Sequence, residues 1–98
     1  MTSSSQEQAK IKAEMVKGLG QVFEEYFSHY LAHHEKALAL QDIYDIVIKE
    51  VEKPLLTLIL QKTSGNQSKT SEILGLNRNT LRKKIKDLGV QLPASKES

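Results

Sequence analysis

Between Asp42 and Thr63 the chain carries eleven apolar or aromatic residues: Ile43, Tyr44, Ile46, Val47, Ile48, Val51, Leu55, Leu56, Leu58, Ile59 and Leu60. Their steps of three and four mark a helix. Its second half, Leu55 to Leu60, is apolar on nearly every side except at Thr57. A helix that is apolar all round must be buried all round. With 98 residues in total, the remaining segments can hardly cover it, so another copy of the chain is expected to do so. Pro54 sits inside this pattern and removes one backbone hydrogen bond. The apolar rhythm continues in phase beyond it, which predicts a kink rather than an end. Two separate helices joined at Pro54 are the alternative. Asp42, with Asp45 three residues on, predicts an approximate capping box at the start.

Upstream, Ile11, Met15, Leu19, Val22, Phe23, Tyr26, Phe27, Tyr30 and Leu31 outline one face of a further amphipathic helix, from Ala9 to about Leu31. Gly18 and Gly20 weaken it locally. Ala32 to Gln41 is expected to be a connection. Downstream, Gly65 suits a left-handed helix end and Asn66 the next N-cap. A short helix is predicted over about Gln67–Leu74, then the turn Gly75-Leu76-Asn77, then a last helix from Arg78 to about Leu88. Gly89 would cap it, with Pro93 beyond. No stretch alternates with period two, so the expected class is all-α with four helices per subunit. The expected divisions are a polar tail at residues 1–8, dimerisation helices at 9–63, a helix-turn-helix at 64–90 and a second tail at 91–98.

Two short helices joined by a three-residue turn containing glycine form the skeleton of a helix-turn-helix. Ser71 and Gly75 supply the small residues that a steep crossing needs. Ile73, Leu74 and Leu76 are expected inside the corner, and Leu81, Ile85 and Leu88 along the buried stripe of the last helix. At 100° per residue, the opposite face of that helix presents Asn79, Lys83 and Lys86, flanked by Thr80 and Arg82. Arg or Lys reads guanine in the major groove and Asn reads adenine. Asn77 and Arg78 start this helix, where backbone N–H groups favour phosphate or base edges. Asn66, Gln67, Ser68 and Lys69 start the preceding helix and suit the sugar-phosphate backbone. A lone basic helix is usually just solvated. Here caps, small residues and basic face occur in register, which favours DNA as partner.

Charge follows the same division. Residues 61–88 hold seven Lys or Arg against Glu72 and Asp87, hence +5, within a chain whose net charge is +2. The remainder is therefore at −3. Such a split points to a polyanion for the C-terminal part and a different partner for the rest. There is no cysteine, which excludes disulfides and thiolate metal sites. Neither a membrane span nor a signal peptide is recognisable. Cytoplasm, at the nucleoid, is the expected location.

Glu25, His29 and His33 recur one helical turn apart and invite a metal reading. With no cysteine and a surface position expected, no metal or other cofactor is predicted. Tyr26, Phe27, Tyr30 and Tyr44 fall on apolar stripes and read as core or interface aromatics. No phosphate-cradling Gly loop, nucleophile elbow or acid/base pair marks an enzyme or a small-molecule substrate.

The run Gln41-Asp42-Ile43-Tyr44-Asp45 through Val51-Glu52-Lys53-Pro54-Leu55-Leu56, with Gly65-Asn66-Gln67, Gly75-Leu76-Asn77-Arg78 and Thr80-Leu81-Arg82-Lys83-Lys84, closely resembles the Fis family (factor for inversion stimulation). The last motifs are shared with the C-terminal domain of nitrogen-regulator-type enhancer-binding activators, which carry it behind a large ATPase module. The length of the Met-initiated chain and its Pro54 helix lead us to expect a stand-alone Fis-like protein. The resemblance implies an intertwined homodimer that places two helix-turn-helices in adjacent major grooves, bends the DNA and reads degenerate A/T-rich sites largely through shape. It implies base-proximal roles for Asn77, Arg78 and Lys83, and phosphate-contacting or supporting roles for Asn66, Gln67, Ser68, Thr80, Arg82 and Lys84. With Lys69, Asn79 and Lys86 from the helix faces, these make up the expected DNA-binding set. Tyr44, Val47, Val51, Leu55, Leu58 and Ile59 are the expected dimer contacts.

Residues 1–20 depart from the family in lacking an N-terminal β-hairpin arm, so a role in recombination is not carried over. Ser64 stands where a basic residue is common, and Asp87 replaces another. A contact with RNA polymerase around Ser64–Gln67 is implied only weakly because of that change. The rival expectation is a protein-interaction adaptor whose N-terminal half binds a partner helix, with DNA binding secondary.

Overall fold

Long runs of helix-favouring residues and few breakers dictate a helical chain, and the computed structural model, which describes residues 3–93, is all-α. Four α-helices follow one another: α1 (Ser3–His33), α2 (Ile43–Lys62), α3 (Gln67–Leu74) and α4 (Arg78–Leu88). A short 3-10 turn, Glu35–Ala39, follows α1 within the expected connection. The chain forms two units, Met1–Gln41 and Asp42–Ser98. No helix among the described residues is long and apolar enough to cross a membrane.

In the first unit, α1 begins at Ser3, six residues before the expected start at Ala9. Within the segment expected to be a tail, Ser3 to Gln8 are thus helical, while Met1 and Thr2 lie outside the described residues. Polarity had suggested a tail, but Gln6, Glu7, Gln8 and Lys10 are good helix formers. Gly18 and Gly20 lie inside the helix; each costs only about 1 kcal/mol relative to alanine, too little to interrupt 31 residues. The apolar stripe is largely uncovered: Ile11, Met15, Leu19, Val22 and Tyr26 are all exposed, and Phe27 and Leu31 are half-buried. Phe23 and Phe27 stack with ring centroids 5.1 Å apart, one turn apart along this stripe.

The second unit is built on α2, which runs unbroken through Pro54. The division falls at Gln41/Asp42, and α2 packs with α3 and α4. The capping box does not form. Asp42 makes no side-chain cap bond, and the Asp45 carboxylate pairs with Lys49, whose ammonium lies 3.0 Å from it. That hydrogen bond, with the attraction of the carboxylate charge, raises the Lys49 pKa above its ordinary value. The pair is well exposed and adds little stability.

Leu56, Leu60, Leu81, Ile85 and Val90 form the core of the unit, with Leu74 and Leu88 packed against them. One face of α2 thus meets α4, as the stripe Leu81-Ile85-Leu88 predicts. Ser71 is buried at the α3 contact, as its small size suggested. Ile73 is a correction: it is 52% exposed, not inside the corner. Only Leu74 and Leu76, both half-buried, serve there.

The junction between α2 and α3 rests on a buried and a half-buried hydroxyl and an uncommon backbone. Thr70 Oγ1 donates to the Asn66 carbonyl at 2.8 Å, an oxygen that can only accept. Thr63 Oγ1 lies 2.8 Å from Thr70 Oγ1 and 3.2 Å from the Leu60 carbonyl oxygen, so its one proton is shared between those two acceptors. No buried side-chain polar atom among the described residues lacks a partner. Gly65 N donates to Leu60 O at 2.8 Å and Ser64 N to Gln61 O at 3.2 Å, the bond pair of a Schellman end. The left-handed position in that motif belongs to Ser64, with φ 54°. A side chain there costs about 1–2 kcal/mol, whereas glycine forfeits about 0.5–1 kcal/mol through its freer unfolded chain. Ser64→Gly is therefore expected to stabilise the protein by about 0.5–1 kcal/mol, read as a higher urea midpoint at unchanged slope.

Candidate nucleic-acid interface

The interface is assembled by three local devices. Asn66 caps α3, its side-chain oxygen accepting from Lys69 N at 3.0 Å. Asn77 caps α4 in the same manner, accepting from Asn79 N at 2.7 Å. Each amide oxygen is thereby occupied, while the NH2 of each remains a donor. Between the two helices, Gly75 takes φ 72° and lets Leu76 N close back on Ser71 O at 2.9 Å. Those bonds satisfy the last carbonyls of α3 and reverse the chain within three residues.

The helix starts are then tied together directly. Arg78 Nη1 donates to Ser68 Oγ at 2.8 Å. This links the first turn of α4 to the first turn of α3, so two N-terminal ends and a guanidinium lie side by side. Positive helix ends and oriented N–H groups favour an anion at such a place.

Along α4, Leu81 and Ile85 are buried while Asn79, Thr80, Arg82, Lys83 and Lys86 are exposed. Opposite the core, the helix therefore shows donors and cations, with Asp87 as the one acidic residue. On α3, Ser68 and Lys69 are exposed and Gln67 is half-buried. Lys69 approaches Glu72 only to 3.9 Å, with both side chains mostly in water, a contact of negligible strength.

Lys84 stands apart from the expected set. It is 33% exposed and its Nζ lies 2.8 Å from Glu52 Oε2 on α2. Glu52 was not singled out in the sequence. The two residues are 32 positions apart, and no local pattern connects them.

On α1, His33 Nδ1 lies 3.0 Å from the His29 carbonyl oxygen and so donates to it. The two ring centroids lie 4.3 Å apart with the planes tilted by 40°. Among the described residues no three His, Asp or Glu side chains gather as a metal site would require.

Residues 47–88, which cover most of α2 and all of α3 and α4, match the Fis family of bacterial regulatory proteins. The match takes in 42 of the 98 residues. The relationship has two branches. The chain is 44% identical over 62 residues to the DNA-binding protein Fis of Buchnera aphidicola, covering 63% of either chain. It is 47% identical over 76 residues to the DNA-binding transcriptional regulator NtrC of Azospirillum brasilense, covering 78% of this chain and 16% of that protein. For the NtrC of Rhizobium meliloti the values are 46% over 80 residues, 82% and 16%. The chain thus spans about a sixth of the NtrC proteins it matches and just under two thirds of the Buchnera Fis. The NtrC matches are longer than the whole second unit, so they extend into residues 1–41. Kinship with Fis and with the nitrogen-regulator type was expected from the motifs; that the NtrC match would be the longer of the two was not.

Proposed function

We infer that the protein is a dimeric DNA-binding regulator of transcription that acts at the nucleoid and carries out no catalysis. The observation that carries this reading is the outward face of α4, where Asn79, Arg82, Lys83 and Lys86 are exposed opposite the buried Leu81 and Ile85. An α-helix of this kind fits the major groove of B-DNA. Asn66, Gln67, Ser68 and Lys69, at the start of α3, then meet the phosphate backbone together with Thr80 and Arg82, while Asn77, Arg78 and Lys83 come next to the bases. The names of the relatives, a DNA-binding protein and a DNA-binding transcriptional regulator, agree with this.

Pairing of two chains is supported by what α2 leaves uncovered. Tyr44 is 80% exposed and Leu58 57%. Val51 and Leu55 are also exposed, while Val47 and Ile59 are half-covered. A stripe of this size is unusual on a soluble chain that stays single. A two-fold dimer across α2 sets two α4 helices at a fixed spacing. Residues 9–63 then supply the pairing surface and residues 64–90 the DNA contacts. Adjacent grooves, DNA bending and A/T-rich preference follow from the likeness to Fis.

A second reading is favoured by the length of the NtrC matches. In it the chain is an adaptor that resembles the end of an NtrC-type activator and meets protein partners through α1.

Titration of a fluorescent A/T-rich duplex over a salt series separates these readings. Sub-micromolar binding is expected at low salt, with log K falling by about 0.9 per phosphate contact for each unit of log salt. Exchanging Arg78 and Lys83 for alanine together is expected to weaken binding at least about 100-fold. Failure of the wild-type protein to bind at low salt, or indifference to both substitutions, refutes the DNA reading.

A further inference from the structure

We propose that Glu52 and Lys84 act as positioning residues: their contact fixes the rotation of α4 on α2 and thereby aims the basic face of α4 at the groove. This rests on the DNA-binding reading above.

The aliphatic core between the two helices is made by Leu56 and Leu60 on one side and Leu81 and Ile85 on the other. Contacts of this kind are strong but non-directional, so they tolerate some rolling of one helix on its neighbour. Two directional contacts remove that freedom. On one flank of the buried stripe, Arg78 donates to Ser68 on α3 at 2.8 Å. On the other, Lys84 donates to Glu52 on α2 at 2.8 Å. With 100° per residue, positions 78 and 84 lie on opposite sides of Leu81, so the helix is braced from both.

Lys84 and Glu52 also differ from the other ion pairs among the described residues. Asp45–Lys49 joins positions within α2 and Lys69–Glu72 positions within α3. Only Lys84–Glu52 joins two helices, and it is the least exposed, at 33% and 26%. A half-buried charge keeps its geometry because losing its partner leaves it poorly solvated. The lever is short but sensitive. At a helix radius of about 5–6 Å, a 20° roll moves a surface side chain by about 2 Å. Recognition geometry tolerates only about 0.5 Å or 10–20°. The Lys84 charge is then spent on Glu52, and Arg82, Lys83 and Lys86 carry the attraction to phosphate.

The test uses the full chain with Glu52→Gln, Lys84→Gln, the exchanged pair Glu52→Lys/Lys84→Glu, and Lys83→Gln for comparison. Urea unfolding first establishes that each variant is folded at the assay temperature. Either single neutral variant is expected to weaken binding to the A/T-rich duplex about tenfold. The salt dependence of Lys84→Gln stays at the wild-type slope, while Lys83→Gln loses about 0.9 of slope for each contact removed. The exchanged pair recovers affinity to within about threefold of wild type. Tighter binding by Glu52→Gln, a reduced slope for Lys84→Gln, or a folded exchanged pair that does not bind would each overturn the proposal.

A second measurement needs no DNA. Residual dipolar couplings report the orientation of α4 relative to α2 in the free protein. They are expected to change in both neutral variants and to return in the exchanged pair; unchanged couplings in Glu52→Gln refute the positioning role. Absence of wild-type binding to any duplex would instead refute the DNA reading, with the couplings still deciding about the pair.

Discussion

Leu81→Ala is expected to remove about 3–4 kcal/mol from the C-terminal unit and with it most of that unit's cooperative unfolding. Leu81 is completely buried, between α2 and α4. Shortening a buried leucine costs about 2.7–5 kcal/mol, through lost transfer energy and the cavity left behind. A unit of this size has on the order of 3–8 kcal/mol in all. The melting midpoint should therefore fall by about 15–25 °C, measured by circular dichroism on the full chain. Ile73→Ala is the matched control. Ile73 is half in water, so its truncation should cost less than about 1 kcal/mol. Equal losses from the two would mean that the core is not where Leu56, Leu60 and Leu81 place it.

The second large effect belongs to the outer face of α2. Replacing Leu55 and Leu58 together by lysine sets two charges on the exposed stripe without touching Leu56 or Leu60. Sedimentation is expected to show paired chains for the wild type and single chains for the variant at micromolar concentration. Loss of pairing unlinks the two half-sites. DNA affinity should then drop by about 100-fold or more, and the salt slope should halve because half the phosphate contacts are gone. A wild-type protein that sediments as a single folded chain would refute the pairing. Undiminished DNA binding by a monomeric variant would show that one α4 suffices.

Much of this arrangement was readable in the residues. Asn66 and Asn77 announce the starts of α3 and α4, and Gly75 and Gly89 their ends, because each meets a backbone need that few residue types satisfy. The stripe Leu81-Ile85-Leu88 defines the inner face of α4 by period alone, and the basic face follows. What escaped the sequence depends on groups distant along the chain or on choices between near-equal alternatives. Asp45 could cap α2 or pair with Lys49, and it pairs. Ile73 is as apolar as Leu74, yet only one of them can face inward from a helix as short as α3. The left-handed turn expected at Gly65 also engages Ser64, a residue with no intrinsic preference for it. Thr63 and Thr70 look like unremarkable surface residues until α2 and α3 meet. Lys84 reads as one more cation of a basic helix until Glu52 arrives from 32 residues away.

The two faces of α2 have a further consequence. Leu56 and Leu60 hold the helix to its own chain, while Leu55 and Leu58 look outward from the same two turns. If the outward pair meets a second copy, the same few turns of helix serve folding and association at once. Thermal resistance then depends on how much protein is present, and dilution lowers the melting point by mass action. Below the concentration at which chains pair, the amount of competent species grows with the square of the total. Occupancy of a target site would then respond steeply to small changes in synthesis, giving a threshold without any ligand or modification.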